Sequence, residues 1–235
     1  MQSTEDEKQM DVQVLQFDAR VGMGTFLPWL KELGCQINCC RCDLEAPPTA
    51  TVGPVLLLGG YMGVNDRDQL PYLQMAAAWI AREVRRGRPV LGICLGGQLL
   101  AHALGGTVRS QSHQERGIQD ITVTAAGKTD PLFAGLPDPF KSFEWHNDSF
   151  DLPPAATHLA QTETCRGQAF RHANAWGLQF HPEVDEQIVA EWCERTGSGH
   201  DPLKQIVQHR EIYHTHSRQL LANFIQASKS IPTER

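Results

Sequence analysis

Two short, almost wholly apolar runs, residues 54–58 and 89–93, flank an amphipathic stretch at residues 70–86, and this arrangement constrains the fold more than any other feature of the chain. A strand that is apolar at every position must be covered on both faces, as a central strand of a parallel sheet is. The stretch between the runs places Leu73, Ala76, Ala77, Ile80 and Val84 along one side and ends near Gly87, which predicts a helix. Residues 12–17 and 36–41 add two more candidate strands. Residues 26–33 add a helix closed by Gly34, and residues 97–104 another stopped by Gly105-Gly106.

After this first half the pattern changes. Residues 118–124, 142–145, 158–161, 168–172 and 176–180 read as short strands joined by Gly- and Pro-rich turns, and antiparallel additions to the same sheet explain them best. Residues 185–195 and 201–227 read as two closing helices. The expected fold is α/β: a flavodoxin-like, doubly wound central sheet, mostly parallel, with antiparallel additions in the second half. We expect a single domain over residues 1–235, with residues 1–10 as a flexible N-terminus.

Composition bounds the function. The 235 residues are 41% hydrophobic and 20% charged, enough to build an ordinary core without disulfides or metal. The formal charge of −6 argues against a nucleic-acid partner, which normally meets a basic face. No run approaches the roughly 18 apolar residues of a membrane span. The polar, acidic start is the opposite of a secretory signal, and an odd count of seven cysteines favours free thiols, so a cytoplasmic location is expected.

The chemistry concentrates at Gly92-Ile93-Cys94-Leu95-Gly96-Gly97-Gln98, between a buried strand and a helix. A Gly-x-Cys-x-Gly pattern at such a junction describes a nucleophile elbow, in which a strained turn projects the central side chain from the edge of the sheet. The positive end of the following helix then favours an anionic sulfur. A cysteine nucleophile needs a base, and the base needs an orienting group. Gln179-Phe180-His181-Pro182-Glu183 offers both directly after a strand, because side chains two apart on extended backbone share a side.

These two segments together closely resemble the class I glutamine amidotransferases of the triad type. Residues 58–66, Leu-Gly-Gly-Tyr-Met-Gly-Val-Asn-Asp, are similar to the oxyanion-strand motif of the branch related to the glutaminase part of GMP synthase. Glu144-Trp145-His146-Asn147-Asp148 resembles that branch's Trp-His-x-Asp segment. The resemblance covers about residues 55–184. It implies Cys94 as nucleophile, His181 as acid/base and Glu183 as orienter, with Gly60 and Leu95 supplying the oxyanion-hole N–H groups. It further implies Gln98, His146 and Asp148 as substrate contacts, with no cofactor and no metal. The stretch Gln111–Ile118 departs from the Glu-x-Gly-Trp pattern of the branch.

The implied reaction is hydrolysis of the γ-amide of glutamine through a Cys-linked γ-glutamyl thioester. No length remains after the closing helices for a synthetase domain, so either a separate synthetase or acceptor subunit receives the ammonia, or the acceptor is water or another amine. The rival is a stand-alone hydrolase of γ-glutamyl peptides or conjugates, which forms the same thioester and differs only in its leaving amine. A non-catalytic binding subunit would be expected to lack a triad member, and all three are present. Neither nucleic acid nor membrane is an expected partner. Cys35, Cys39, Cys40 and Cys42 lack the paired spacing of a zinc site and are expected to pack in and around a strand. His200, His209, His214 and His216 lack a ligand set, and their helix is expected to face solvent or a partner. Gly22 and Gly24 make no dinucleotide fingerprint.

Overall fold

The structure is a computed structural model and describes residues 9–231. The expected flexible N-terminus therefore lies, through residue 8, outside the described residues. The chain opens with β1 (Met10–Gln16), α1 (Phe26–Glu32), β2 (Cys35–Arg41) and β3 (Val55–Leu57). It continues through α2 (Pro71–Arg85), β4 (Val90–Ile93) and α3 (Leu95–Ala103). The second half supplies β5 (Val108–Arg109), β6 (Glu115–Val123), β7 (Phe140–His146), β8 (Ser149–Phe150), β9 (Thr157–Gln161), β10 (Ala169–His172) and β11 (Ala175–Leu178). The closing helices are α4 (Glu186–Thr196), α5 (Asp201–Gln208) and α6 (Arg210–Lys229).

Nine strands form one sheet in the order β2-β1-β3-β4-β11-β10-β9-β6-β7, and β5 pairs with β8 in a separate ribbon. The five strands from β2 to β11 run parallel, and the remainder pair antiparallel. This departs from expectation at one strand. β11 comes from the second half of the chain but lies parallel to β4, with Leu178 opposite Ile93.

Alternation along the central strands sorts the core into two layers. Val12, Val14, Leu56, Leu58, Leu91 and Ile93 face α1 and α6, where Phe26, Leu30, Leu220, Leu221 and Phe224 cover them. Leu15, Phe17, Val55, Leu57 and Val90 face α2 and α3, against Leu73, Ile80 and Leu99. Every residue of β3 is fully buried, and burying such a side chain contributes about 1.5–3 kcal/mol. The apolar runs that predict a two-faced sheet are thus divided residue by residue between its two faces.

The last expected helix is two. The backbone bends at His209 (φ −104°, ψ 13°) without a Pro or Gly to mark it. The bend lets Gln205 of α5 accept a bond from Ile118 N at 2.9 Å, while α6 turns Tyr213, His216 and Ser217 inward. The face around positions 213 and 216 is therefore buried rather than open to solvent or a partner. Of the crowded cysteines, Cys35, Cys40 and Cys42 are buried on or beside β2 and Cys39 is exposed, all as free thiols. Among the described residues no helix is long and apolar enough to cross a membrane.

Candidate active site

The turn joining β4 to α3 positions the thiol. Cys94 has φ 49° and ψ −109°, a left-handed backbone that costs a non-glycine residue about 1–3 kcal/mol and persists only where its surroundings over-determine it. Cys94 N donates to Leu178 O at 2.8 Å. A Cβ on Gly96 would lie 2.4 Å from Leu57 O, and one on Gly97 2.4 Å from Leu178 O. The absence of side chains there lets α3 begin directly against the ends of β3 and β11. Cys94 stands at the carboxyl edge of the parallel strands, 7% exposed.

The histidine arrives from the neighbouring strand. Three residues beyond β11, His181 N donates to Phe143 O of β7 at 2.7 Å. The Tyr213 hydroxyl lies 2.9 Å from His181 O and 3.0 Å from Val184 O and donates across both. Thr25 donates to Glu183 O from its N (2.8 Å) and its Oγ1 (3.1 Å). Gly24 makes room for that carbonyl, because a Cβ there would lie 2.1 Å from it. The His-Pro-Glu backbone is thus held from three sides, and His181 Nδ1 donates to Glu183 Oε1 at 2.7 Å.

That bond fixes the tautomer, since a carboxylate only accepts, and turns the other ring nitrogen away from Glu183. His181 and Cys94 line one small cavity of about 30 Å³ with Val21, Gly60, Tyr61, Trp145 and Trp192. Burial alone would depress the His181 imidazole. The Glu183 carboxylate and the Cys94 sulfur outweigh it and hold its pKa well above the ordinary value. An imidazole so placed can hold a proton beside a thiolate and give it to a departing group.

Two backbone positions adjoin the sulfur. Leu95 opens α3, so its N–H belongs to the first turn, which has no intrahelical acceptor. Gly60 packs against it, with a Cβ there falling 2.7 Å from Leu95 Cδ2. Beside them opens a larger cavity of about 200 Å³, lined by Gln98, Arg116, His146 and Asp148 among others.

Of the three expected substrate contacts, two spend polar atoms on the protein itself. Gln98 Nε2 donates to Asp148 O and Gln179 Oε1, both at 3.2 Å. His146 Nδ1 lies 3.0 Å from Asp148 O, and its Nε2 lies 3.2 Å from Glu115 Oε2 and 3.3 Å from Glu144 Oε2. Both nitrogens face acceptors, so both carry protons. Burial opposes that charge, but the Glu115 and Glu144 carboxylates overcome it and push the His146 pKa up to about 10. Burial raises the pKa of Glu144 itself. Asp148 is the freer of the three, its Oδ1 accepting from Gln111 N at 3.0 Å.

Glu115, His146 and Cys165 bring potential metal-ligating atoms within 4.8 Å of one another. Gln168 Nε2 (2.6 Å) and Thr162 Oγ1 (2.7 Å) already donate to the two oxygens of Glu115. The cluster is better described as a satisfied hydrogen-bond network than as a ligand set. Glu115, Glu144, Arg116, Tyr61, Trp192 and Tyr213 are the site residues that sequence reasoning missed. The signal for Glu115 and Arg116 was faint: Glu115-Arg116-Gly117 keeps the Glu-x-Gly of the related branch and lacks its Trp.

The family model for class-I glutamine amidotransferases matches residues 27–189, and the chain belongs to that family. It is 34% identical over 173 residues to YfeJ, a glutamine amidotransferase-like protein of Salmonella typhimurium, covering 71% of this chain and 72% of that one. It is 31% identical over 169 residues to one subunit of the glutamine-hydrolyzing GMP synthase of Picrophilus torridus, covering 70% and 86% of the two chains. The crystal structure of a Thermotoga maritima glutamine amidotransferase superposes with a TM-score of 0.83 at 26% identity, over 93% of this chain and 99% of that one. The glutamine amidotransferase of Methylobacillus flagellatus gives the same TM-score at 27% identity, over 97% of each chain. The α/β fold with its central sheet, parallel strands and antiparallel additions is the fold of these proteins.

Proposed function

We propose that the chain hydrolyses the γ-amide of glutamine at Cys94 and releases ammonia to an acceptor. The observation that carries this reading is the strained Cys94 elbow sharing a cavity with a His181–Glu183 pair on the adjacent strand. The Cys94 thiolate attacks the δ-carbon, and the carbonyl electron pair moves to oxygen, where Gly60 N–H and Leu95 N–H receive it. As the tetrahedral species collapses, the C–N bond breaks. The His181 imidazolium donates its proton to the leaving nitrogen, releasing ammonia and a γ-glutamyl thioester. Water then attacks the thioester while His181 takes its proton, the C–S bond breaks, and glutamate departs. Glutamine and water give glutamate and ammonia, with thiolate and imidazolium restored.

The leaving group departs on the His181 side, into the cavity of about 30 Å³ walled by Val21, Tyr61, Trp145 and Trp192. That space admits ammonia, and a bulkier amine leaving from a γ-glutamyl peptide would pass into the cavity of about 200 Å³ that Cys94 also lines. The test is release of glutamate from glutamine and from a panel of γ-glutamyl peptides, with Cys94→Ala as control. Glutamine turnover that Cys94→Ala lowers by about ten-thousand-fold or more is expected. Preference for the peptides would replace the reading with a γ-glutamyl hydrolase. Absence of turnover, together with no labelling of Cys94 by a glutamine-like electrophile, would overturn both.

A further inference from the structure

A third cavity, of about 300 Å³, opens beside β8 and shares no lining residue with the two cavities at Cys94. Its walls include both residues of β8, Ser149 and Phe150, together with His113, Asp151, Leu152 and Arg166. The carboxylate among these is already neutralised. Arg109 of β5, opposite Ser149 in the ribbon, donates from Nε to both oxygens of Asp151 at 3.0 and 2.9 Å. Its Nη2 lies 2.7 Å from Asp151 Oδ2.

A chain of hydrogen bonds fixes the polarity of the His113 wall. Ser112 Oγ donates to Arg109 O at 3.1 Å. With its proton so placed, it accepts from Ser149 Oγ at 2.6 Å. Ser149, only 3% exposed, in turn accepts from His113 Nδ1 at 2.9 Å. The imidazole is thereby held as the Nδ1–H tautomer, and its Nε2 has no partner among the described residues. Arg166 supplies the permanent charge. Its carbonyl accepts from His158 Nε2 at 2.7 Å, which anchors the turn between β9 and β10. Among the described residues its guanidinium has no carboxylate partner.

A guanidinium with free N–H groups, facing an imidazole able to add a second positive charge, matches a dianion with several acceptor oxygens. A lone carboxylate brings half that charge. The cavity is also larger than an oxyanion needs, and Phe150 and Leu152 make part of its wall apolar. We propose that it binds a phosphate monoester, with the phosphoryl group between Arg166 and His113 Nε2 and the organic part against Leu152. This is a second ligand site, and nothing in the hydrolysis proposed above uses it.

Calorimetry in a phosphate-free buffer tests this with three probes: glycerol 3-phosphate, inorganic phosphate and acetate. Glycerol 3-phosphate is expected to bind with a Kd of about 1 mM or tighter, and acetate roughly tenfold more weakly or less. Arg166→Met is expected to weaken the monoester about tenfold or more. His113→Asn keeps a donor for Ser149 but removes the outer nitrogen, so a loss of about three- to tenfold is expected. Arg166 is exposed and His113 half-buried, so neither substitution opens the core. An affinity unchanged in both variants would place the ligand elsewhere and overturn the proposal. So would a loss in only one of them, acetate binding as tightly as the monoester, inorganic phosphate binding where the monoester does not, or no binding at all. No glutamine enters the assay, so its result is independent of the chemistry at Cys94.

Discussion

His181 and His146 are both buried against carboxylates beside the same thiol, yet the first commits one ring nitrogen to a carboxylate and the second commits both to acceptors. His181 gives Nδ1 to Glu183 at 2.7 Å and turns its other nitrogen away from that partner. His146 gives Nδ1 to Asp148 O and Nε2 to Glu115, with Glu144 Oε2 3.3 Å from the same nitrogen. Both imidazoles are held toward the charged form, but only His181 keeps a nitrogen through which a proton can be exchanged. His146 serves as a fixed cation beside two buried carboxyl groups, Glu115 and Glu144, and ties down the loop bearing Asp148. A raised pKa alone therefore does not distinguish a group that can move a proton from one that holds a fold together, and the count of uncommitted nitrogens does.

Exchanging the two histidines for asparagine should split activity from stability. His181→Asn is expected to lower glutamine hydrolysis by about ten-thousand-fold, with a smaller loss of melting temperature than His146→Asn because an asparagine amide at this position can still donate to Glu183. His146→Asn should instead strand the buried Glu115 carboxylate without a counter-charge, costing about 3–5 kcal/mol. Calorimetry should then record a melting temperature lower by about 6–20 °C. If His146→Asn melts like the wild type, the fixed-cation description fails.

The pH dependence of stability sharpens the contrast. The folded pKa of His146, about 10, lies above its ordinary value of 6.5. Folding thus takes up a proton, and the stabilisation from this group is fully present below about pH 6.5. It declines as pH rises above that value and is lost on passing through about 10. The melting temperature of the wild-type protein should fall across this window more steeply than that of His146→Gln. The smallest effect belongs to Glu144→Gln. Burial already favours the neutral carboxyl at this position, so an uncharged amide of equal size should change the melting temperature by only about 4 °C or less. A larger loss would make Glu144, rather than Glu115, the principal counter-ion of His146.

The parts of this site that sequence made legible are those carried by contiguous residues. The glycine-flanked Cys94 turn and the His181-Pro182-Glu183 step each specify their own local geometry, and the structure has both. What stayed hidden depends on pairing between distant strands. Glu115 meets His146 because the register of β6 and β7 puts them opposite each other. Arg116 reaches Trp145 for the same reason, one position along. The direction of β11 was equally out of reach, since four apolar residues fit a parallel or an antiparallel neighbour. The bend at His209 has no breaker residue, and the two-residue strands β5 and β8 are too short for any period to show.

The parallel seat of β11 beside β4 also bears on the order in which the protein is made. Cysteine and histidine stand just beyond the ends of adjacent strands but at distant places in the chain, and the intervening segment supplies every antiparallel strand of the large sheet. Emerging from the ribosome, the thiol appears long before its base, and the gap closes only when one of the last strands slots into the middle of the sheet rather than onto its rim. Such a contact of high sequence separation is costly to form early. On the proposed mechanism the Cys94–His181 pair is thus assembled late, and its chemistry stays switched off until the architecture around it is essentially complete.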